Sequence, residues 1–84
     1  MKVKDFIEVY ENAYLVIETK ETVYTDCSTY AAKAHDVGFY DVPIILFKEG
    51  TQLKSQVLEK EITGITASEI ENKNTMFYLE CDVY

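Results

Sequence analysis

The sequence contains no arginine and no tryptophan, a single proline, three glycines and two cysteines among its 84 residues. Without arginine, the chain lacks the side chain best suited to bidentate contacts with phosphate or guanine. Its eight basic residues, all lysine, stand against fifteen acidic ones, which gives a formal net charge of −7. Because phosphate binding needs a basic surface, we expect no direct binding to nucleic acid.

Long apolar runs are also missing. The longest candidate, Val42–Phe47, contains a proline and falls far short of the roughly 18–20 apolar residues that cross a membrane. The charged opening Met1–Asp5 does not resemble a signal peptide. These features predict a cytoplasmic protein with no membrane contact. In that compartment Cys27 and Cys81 are expected to be reduced thiols, although a disulfide between them is the alternative.

What is present is typical of a folded domain, since 48% of the residues are apolar. A chain of this length is expected to form a single domain, residues 1–84. The helical spacing of Val3, Phe6, Ile7 and Tyr10 predicts a helix over about residues 3–12. A second, short helix is expected between a capping residue, Ser28, and a closing glycine, Gly38.

Strands are predicted where β-branched and aromatic residues cluster, at 14–17, 22–27, 44–47, 61–67 and 75–83. The run 44–47 is expected to be buried on both faces, and residues 52–60 fit a helix or a strand equally well. In the last strand, alternation predicts a core face with Phe77, Leu79, Cys81 and Val83. The fold class is therefore α+β, with an N-terminal helix packed on a small, mainly antiparallel sheet of about four to five strands, and a second short helix.

Residues that carry chemistry are few and widely spaced. Cys27, His35 and Asp36 are the residue types of a nucleophile, a base and an orienting acid, but nothing in their spacing brings them together. Cys27, His35 and Cys81 lack the local ligand pair of a zinc site. The glycines are isolated, so no phosphate-binding loop is present. We expect no enzyme activity, no cofactor and no metal.

Parts of the chain resemble small accessory proteins encoded by phages and mobile elements of Gram-positive bacteria. The resemblance covers residues 1–18 and 58–84: the opening Met1–Glu8, the strand Tyr14–Glu18, the segment Leu58–Ile65 and the strand Thr75–Glu80. It is a pattern of helix and strands, so it assigns no functional residue. Some small acidic proteins of such elements inhibit host defence enzymes, including anti-CRISPR proteins, and the resemblance therefore implies a protein-binding function.

Negative charge is concentrated in the last third of the chain, where exposed tyrosines are also expected. An acidic surface attracts basic partners and accelerates their association. We predict a non-enzymatic protein-interaction module that binds and inhibits a basic nucleic-acid-handling host protein, of anti-defence or anti-CRISPR type. The predicted partner-binding residues are Glu59, Glu61, Glu69, Glu71, Tyr78, Glu80, Asp82 and Tyr84.

Three other interpretations stay open. The first is a small-ligand-binding or regulatory domain with its pocket near Gly38–Pro43 and Tyr30. The second is a structural, homo-oligomeric component, and a face shared by Tyr24 and Tyr78 would favour a homodimer. The third is that the acidic surface serves solubility alone, since a charge of −7 is ordinary for a small soluble domain.

Overall fold

The computed structural model describes residues 1–9, 13–48, 53–70 and 74–81. Within these ranges the chain forms three helices and one five-stranded sheet. In chain order the elements are α1 (Val3–Val9), β1 (Ala13–Glu18), β2 (Val23–Thr25), α2 (Ser28–Val37), β3 (Ile44–Leu46), α3 (Ser55–Leu58), β4 (Gly64–Ile70) and β5 (Asn74–Glu80). The predicted α+β fold with an N-terminal helix is confirmed, and the undecided region 52–60 contains a helix.

The sheet is mixed, with the strand order β3-β2-β1-β5-β4. The pairs β1/β2 and β4/β5 are antiparallel, whereas β1/β5 and β2/β3 are parallel. The central strand β1 is buried at three consecutive positions, Leu15, Val16 and Ile17. Successive side chains of a strand point to opposite faces, so apolar residues are needed on both sides of this sheet.

Each face of the sheet has its own hydrophobic core. On the face that we call the α1 face, Leu15, Ile17 and Leu79 pack with residues of α1 and α3. On the opposite, α2 face, Val16, Val23 and Met76 pack with Cys27 and a group of partly buried side chains: Tyr14, Tyr30, Tyr40, Val42, Ile44, Ile70 and Tyr78. The sequence alternation predicted one core face for β5, but Met76, on the other face, is only 1% exposed, because it packs in the core of the α2 face.

Helix α1 packs on β5 and is hydrogen-bonded to the segment after α3. The rings of Phe6 and Phe77 meet edge to face, with centroids 5.3 Å apart. The backbone N–H of Val3 donates to the carbonyl of Lys60 over 3.0 Å. Helix α1 is too short to be stable alone, so these tertiary contacts are what hold it in place.

The buried hydroxyl of Thr25 holds the connection from β2 to α2 in place by hydrogen bonds. The Thr25 side chain is fully buried; it donates to the Leu15 carbonyl over 2.8 Å and accepts from the Cys27 N–H over 3.1 Å. Asp26 accepts from the Leu15 N–H over 2.8 Å. Both backbone groups of Leu15 are therefore paired with side chains at the point where the chain leaves β2.

Two residues determine where α2 begins and where it ends. Cys27, rather than the predicted Ser28, is the N-cap, and its Sγ accepts from the Tyr30 N–H over 3.4 Å. At the other end Gly38 has a φ of 63°, a conformation that favours glycine. The N–H of Phe39 donates to the Ala34 carbonyl over 2.9 Å, and the helix ends at Gly38, as predicted.

Two strand predictions were wrong in detail. The run 44–47 is not buried on both faces, because β3 lies at a sheet edge, with Ile45 47% and Leu46 51% exposed. The strand predicted at 61–67 begins at Gly64 and continues to Ile70. None of the helices within the described ranges has the length and apolarity required to cross a membrane.

Cys27 and Cys81 are both buried. Cys27 belongs to the core of the α2 face, whereas Cys81 belongs to that of the α1 face. Since the sheet lies between the two cores, the alternative of an intramolecular disulfide is not supported.

Candidate functional site: a cleft between α2 and the sheet

A cleft of about 680 Å³ lies on the α2 face. Helix α2 lies mainly over β2 and β3, so it leaves the β5 and β4 side of that face more open. The cleft is the space between the helix and these two strands. We call it the α2 cleft; its lining residues are Glu18, Tyr30, Lys33, Ala34, Asp36, Val37, Phe39, Thr66, Tyr78 and Glu80.

The helix side of the α2 cleft carries exposed apolar side chains. Val37 is 74% exposed and Phe39 is 66% exposed. The turn at Gly38 brings Phe39 against the ring of Tyr40, with the centroids 4.8 Å apart. Tyr30 and Tyr78 meet edge to face at 5.7 Å across the cleft. Exposed aromatic and aliphatic side chains of this kind are typical of contact surfaces.

Two carboxylates, Glu18 and Glu80, also line the cleft. The two residues are paired in the parallel ladder of β1 and β5, and paired residues point to the same face of a sheet. Burial raises the pKa of Glu18; the hydrogen bond from Tyr40 lowers it, and the charge of Glu80 raises it further. Among the described residues, no lysine forms an ion pair with either carboxylate, although Lys33 lines the same cleft.

Two tyrosines hold Glu18 in place. The Tyr40 hydroxyl donates to Glu18 Oε1 over 3.3 Å, and the hydroxyls of Tyr30 and Tyr40 lie 2.7 Å apart. Burial raises the pKa of Tyr30 to about 12 and raises the pKa of Tyr40 further. Both hydroxyls therefore stay protonated at neutral pH, so that Tyr40 remains a donor to Glu18 and Tyr30 can donate to Tyr40.

The position of Glu80 depends on the glycine opposite to it. Gly64 of β4 pairs with Glu80, and a Cβ at Gly64 would lie 3.2 Å from Glu80 Oε2. The carboxylate would therefore have to move by a few tenths of an ångström for a residue with a Cβ at position 64. The register of β4 with β5 is unbroken at this point, so the glycine allows the approach of a side chain rather than a bulge.

The structure separates the predicted partner-binding residues into different places. Tyr78 and Glu80 lie together in the α2 cleft. Glu69 pairs with Thr75 and therefore lies on the α1 face. Three of the predicted residues, Glu71, Asp82 and Tyr84, lie outside the described residues.

Glu59 and Glu61 lie beside the N-terminal segment. Glu59 accepts from the ammonium groups of Lys2 and Lys4, each over 2.8 Å, and Glu61 lies 3.4 Å from the terminal amine of Met1. The two lysines lower the pKa of Glu59 to about 2. The charge of Glu59 is thus offset within the chain, and the expected grouping of residues 59–61 with Glu80 is not seen.

Glu59→Gln is expected to make the stability of the fold less sensitive to acid. Because the folded pKa of about 2 lies below the ordinary 4.5, the ion pairs contribute fully above about pH 4.5 and are lost as the pH falls towards 2. Urea midpoints between about pH 6 and pH 2 should therefore fall more steeply for the wild type than for the variant. Glu8→Gln, an exposed change on α1, should keep the wild-type slope; equal slopes for both variants would contradict the assignment.

The described residues do not form the catalytic group, the metal site or the homodimer surface that were considered from the sequence. Cys27 is buried at the start of α2, while exposed His35 lies in its last turn, 3.9 Å from Asp36. Eight residues of helix separate the two by about 12 Å. Within the described ranges no cluster of three or more metal-binding side chains occurs. Tyr24 and Tyr78 lie on opposite faces of the sheet, so the homodimer surface built from both was wrong.

The sequence pattern missed Glu18 and Val37. Glu18 becomes a neighbour of Glu80 only through the parallel pairing of β1 with β5, which joins segments far apart in the chain. Tyr30 and Phe39, in contrast, lie within or next to the region where a ligand pocket was considered. Comparisons of the chain with protein-family models, with curated proteins and with solved structures found no match.

Proposed function

We propose that the chain is a non-enzymatic interaction module that binds a basic protein through the α2 cleft. The observation that carries the proposal is the pair Glu18 and Glu80, placed in a largely apolar cleft without an ion pair to any lysine of the described ranges. A lysine or arginine side chain has the matching chemistry, because its stem is apolar and its end is cationic.

Two tyrosines of the α2 cleft would also favour the binding of such a cation. Tyr30 and Tyr78 are partly buried, and a cation held near an aromatic face gains roughly 0.5–2 kcal/mol. The net charge of −7 would draw a basic partner from a distance. These features support a partner that itself handles nucleic acid, because such proteins present basic surfaces. Occupation of that surface would inhibit the partner, as in anti-defence proteins of phages and mobile elements.

The test is capture of the partner from host lysate with matched variants. We expect a basic nucleic-acid-handling protein to be captured at low salt and lost at high salt. The double variant Glu18→Gln/Glu80→Gln should capture far less of it. The control Glu8→Gln/Glu21→Gln removes the same amount of charge from exposed positions and should capture it normally. If both double variants capture equally little of the partner, net charge alone accounts for the effect, which would contradict a role for the cleft.

A second function is favoured by the size of the cleft. A volume of about 680 Å³ lies within the roughly 300–1,000 Å³ of small-molecule sites. The ligand would be a small apolar amine, since the same carboxylates would hold it. A binding amine raises the melting temperature by mass action. Stabilisation by short alkylamines that disappears in Glu18→Gln/Glu80→Gln would favour this function, and a flat response would count against it.

A further inference from the structure

Strand β4 forms an open edge of the sheet. It pairs only with β5 among the described elements, and its five inner residues, 65–69, are all exposed. In an edge strand every second residue turns its N–H and C=O groups away from the sheet, where another strand can bind them.

The features that usually protect such an edge are few in β4. Its sequence, Gly-Ile-Thr-Ala-Ser-Glu-Ile, contains neither lysine nor proline, and its single charge, that of Glu69, would attract a basic strand. Its register with β5 is unbroken from Gly64 opposite Glu80 to Ile70 opposite Asn74, so no bulge twists the edge away. Charged lysines, prolines and bulges are the features that keep natural edge strands from pairing. The edge is therefore available for an added strand along seven residues.

Gly64 connects this edge to the acidic part of the α2 cleft. Because the Glu80 carboxylate lies where a Cβ of residue 64 would come within 3.2 Å of it, it reaches from β5 across β4. A strand added beyond β4 would lie about 4.8 Å further out. A basic side chain of that strand beside Gly64, on the α2 face, would then meet the carboxylate directly.

We propose that β4 receives an extended, basic segment of the partner as a sixth strand, with a lysine or arginine beside Gly64 that pairs with Glu80. The inference rests on the proposed function and adds its mode of recognition: backbone hydrogen bonds along the edge, and one cation at Glu80. Thr66, the small residue next to Gly64 on the same face, lines the α2 cleft and leaves room for the partner's side chains to extend into it.

A second copy of the chain fits this edge less well. Antiparallel pairing of two β4 strands about Ala67 would place Gly64 opposite Ile70, which supplies no cation for Glu80. Each copy also carries a formal charge of −7, so the two would repel each other. Charge complementarity therefore favours a basic segment over self-association.

The test uses the full chain labelled with ¹⁵N and a short, capped peptide in which valine alternates with lysine. Binding should shift the amide signals of residues 64–70 and slow their hydrogen exchange. The same peptide with N-methylated backbone keeps its charge but cannot donate hydrogen bonds to the edge. It should bind at least roughly tenfold more weakly, which corresponds to about 1.4 kcal/mol.

Two matched variants of β4 examine the role of Glu80. Gly64→Val fills the space beside the carboxylate and should weaken the peptide several-fold, whereas Ser68→Val, on the same strand and face, should leave its affinity close to that of the wild type. Circular dichroism spectra of both variants would establish that they are folded. Equal affinities of the two variants would overturn the pairing of the peptide's cation with Glu80.

The other outcomes are also decisive. Equal binding of the N-methylated peptide would overturn the added strand, while the capture experiment with Glu18 and Glu80 variants would still decide the proposed function. Failure of the unmodified peptide to bind at millimolar concentration would overturn the inference as well. A dimer in sedimentation experiments, with β4 amides protected in the absence of peptide, would assign the edge to a second copy instead.

Discussion

Leu79→Ala is expected to lower the melting temperature by roughly 10–30 °C, the largest loss of stability predicted for a single substitution here. Leu79 is fully buried in the core of the α1 face, and truncation of a buried leucine costs about 2–5 kcal/mol. For a domain of this size, 1 kcal/mol corresponds to about 4–8 °C. The loss approaches the roughly 3–5 kcal/mol that a core this small supplies, so a large fraction of the variant should be unfolded at 25 °C. Thermal and urea denaturation followed by circular dichroism would measure the loss of stability.

Ile65→Ala is the matched control for this experiment. Ile65 pairs directly with Leu79 across β4 and β5, so the two side chains lie on the same face, but Ile65 is 49% exposed. Its truncation leaves no enclosed cavity and should cost less than about 1 kcal/mol. Similar losses for the two variants would mean that the core does not lie under α1 as described.

Glu80→Lys is expected to reduce the association rate of the captured partner by about a hundredfold at low salt. The introduced ammonium would lie beside Glu18, its neighbour on β1. It would neutralise that carboxylate within the chain and repel an incoming cation. With the attraction removed, the rate should also depend much less on ionic strength. A biosensor titration from low to high salt measures both quantities.

Glu8→Lys changes the net charge of the chain by the same amount and lies on α1. Glu8 is exposed and does not line the α2 cleft. Its substitution should therefore reduce the association rate only modestly, through the general field of the protein. A Glu8→Lys effect as large as that of Glu80→Lys would show that total charge, and not the cleft, governs binding.

The elements of this fold were predictable where the pattern is local. The spacing of Val3 and Phe6 marks α1, and Gly38 marks the end of α2, because both depend on a few neighbouring residues. The burial of a strand depends instead on its place in the sheet. Ile45 and Leu46 belong to an apolar run that is typical of an interior strand, yet β3 has a neighbour on one side only.

The candidate site was only half predictable for the same reason. Tyr78 and Glu80 lie in one strand, and their alternation placed them on a common face. Glu18 joins them through the pairing of β1 with β5, a long-range contact that no local pattern encodes. The charge of Glu59 was read as part of one acidic surface, because its pairing with Lys2 and Lys4 likewise connects distant segments.

The parallel pairing of β1 with β5 also determines when the molecule can finish folding. Tyr14 is matched with Met76, so the middle of the sheet forms only after almost the whole chain is present. Until β5 inserts, β1 has an unpaired edge and β4 has no partner strand at all. Closing so long a loop before its contacts are gained slows folding. On the ribosome, the unpaired β1 edge would therefore be the segment most exposed to proteases and to pairing with other nascent chains.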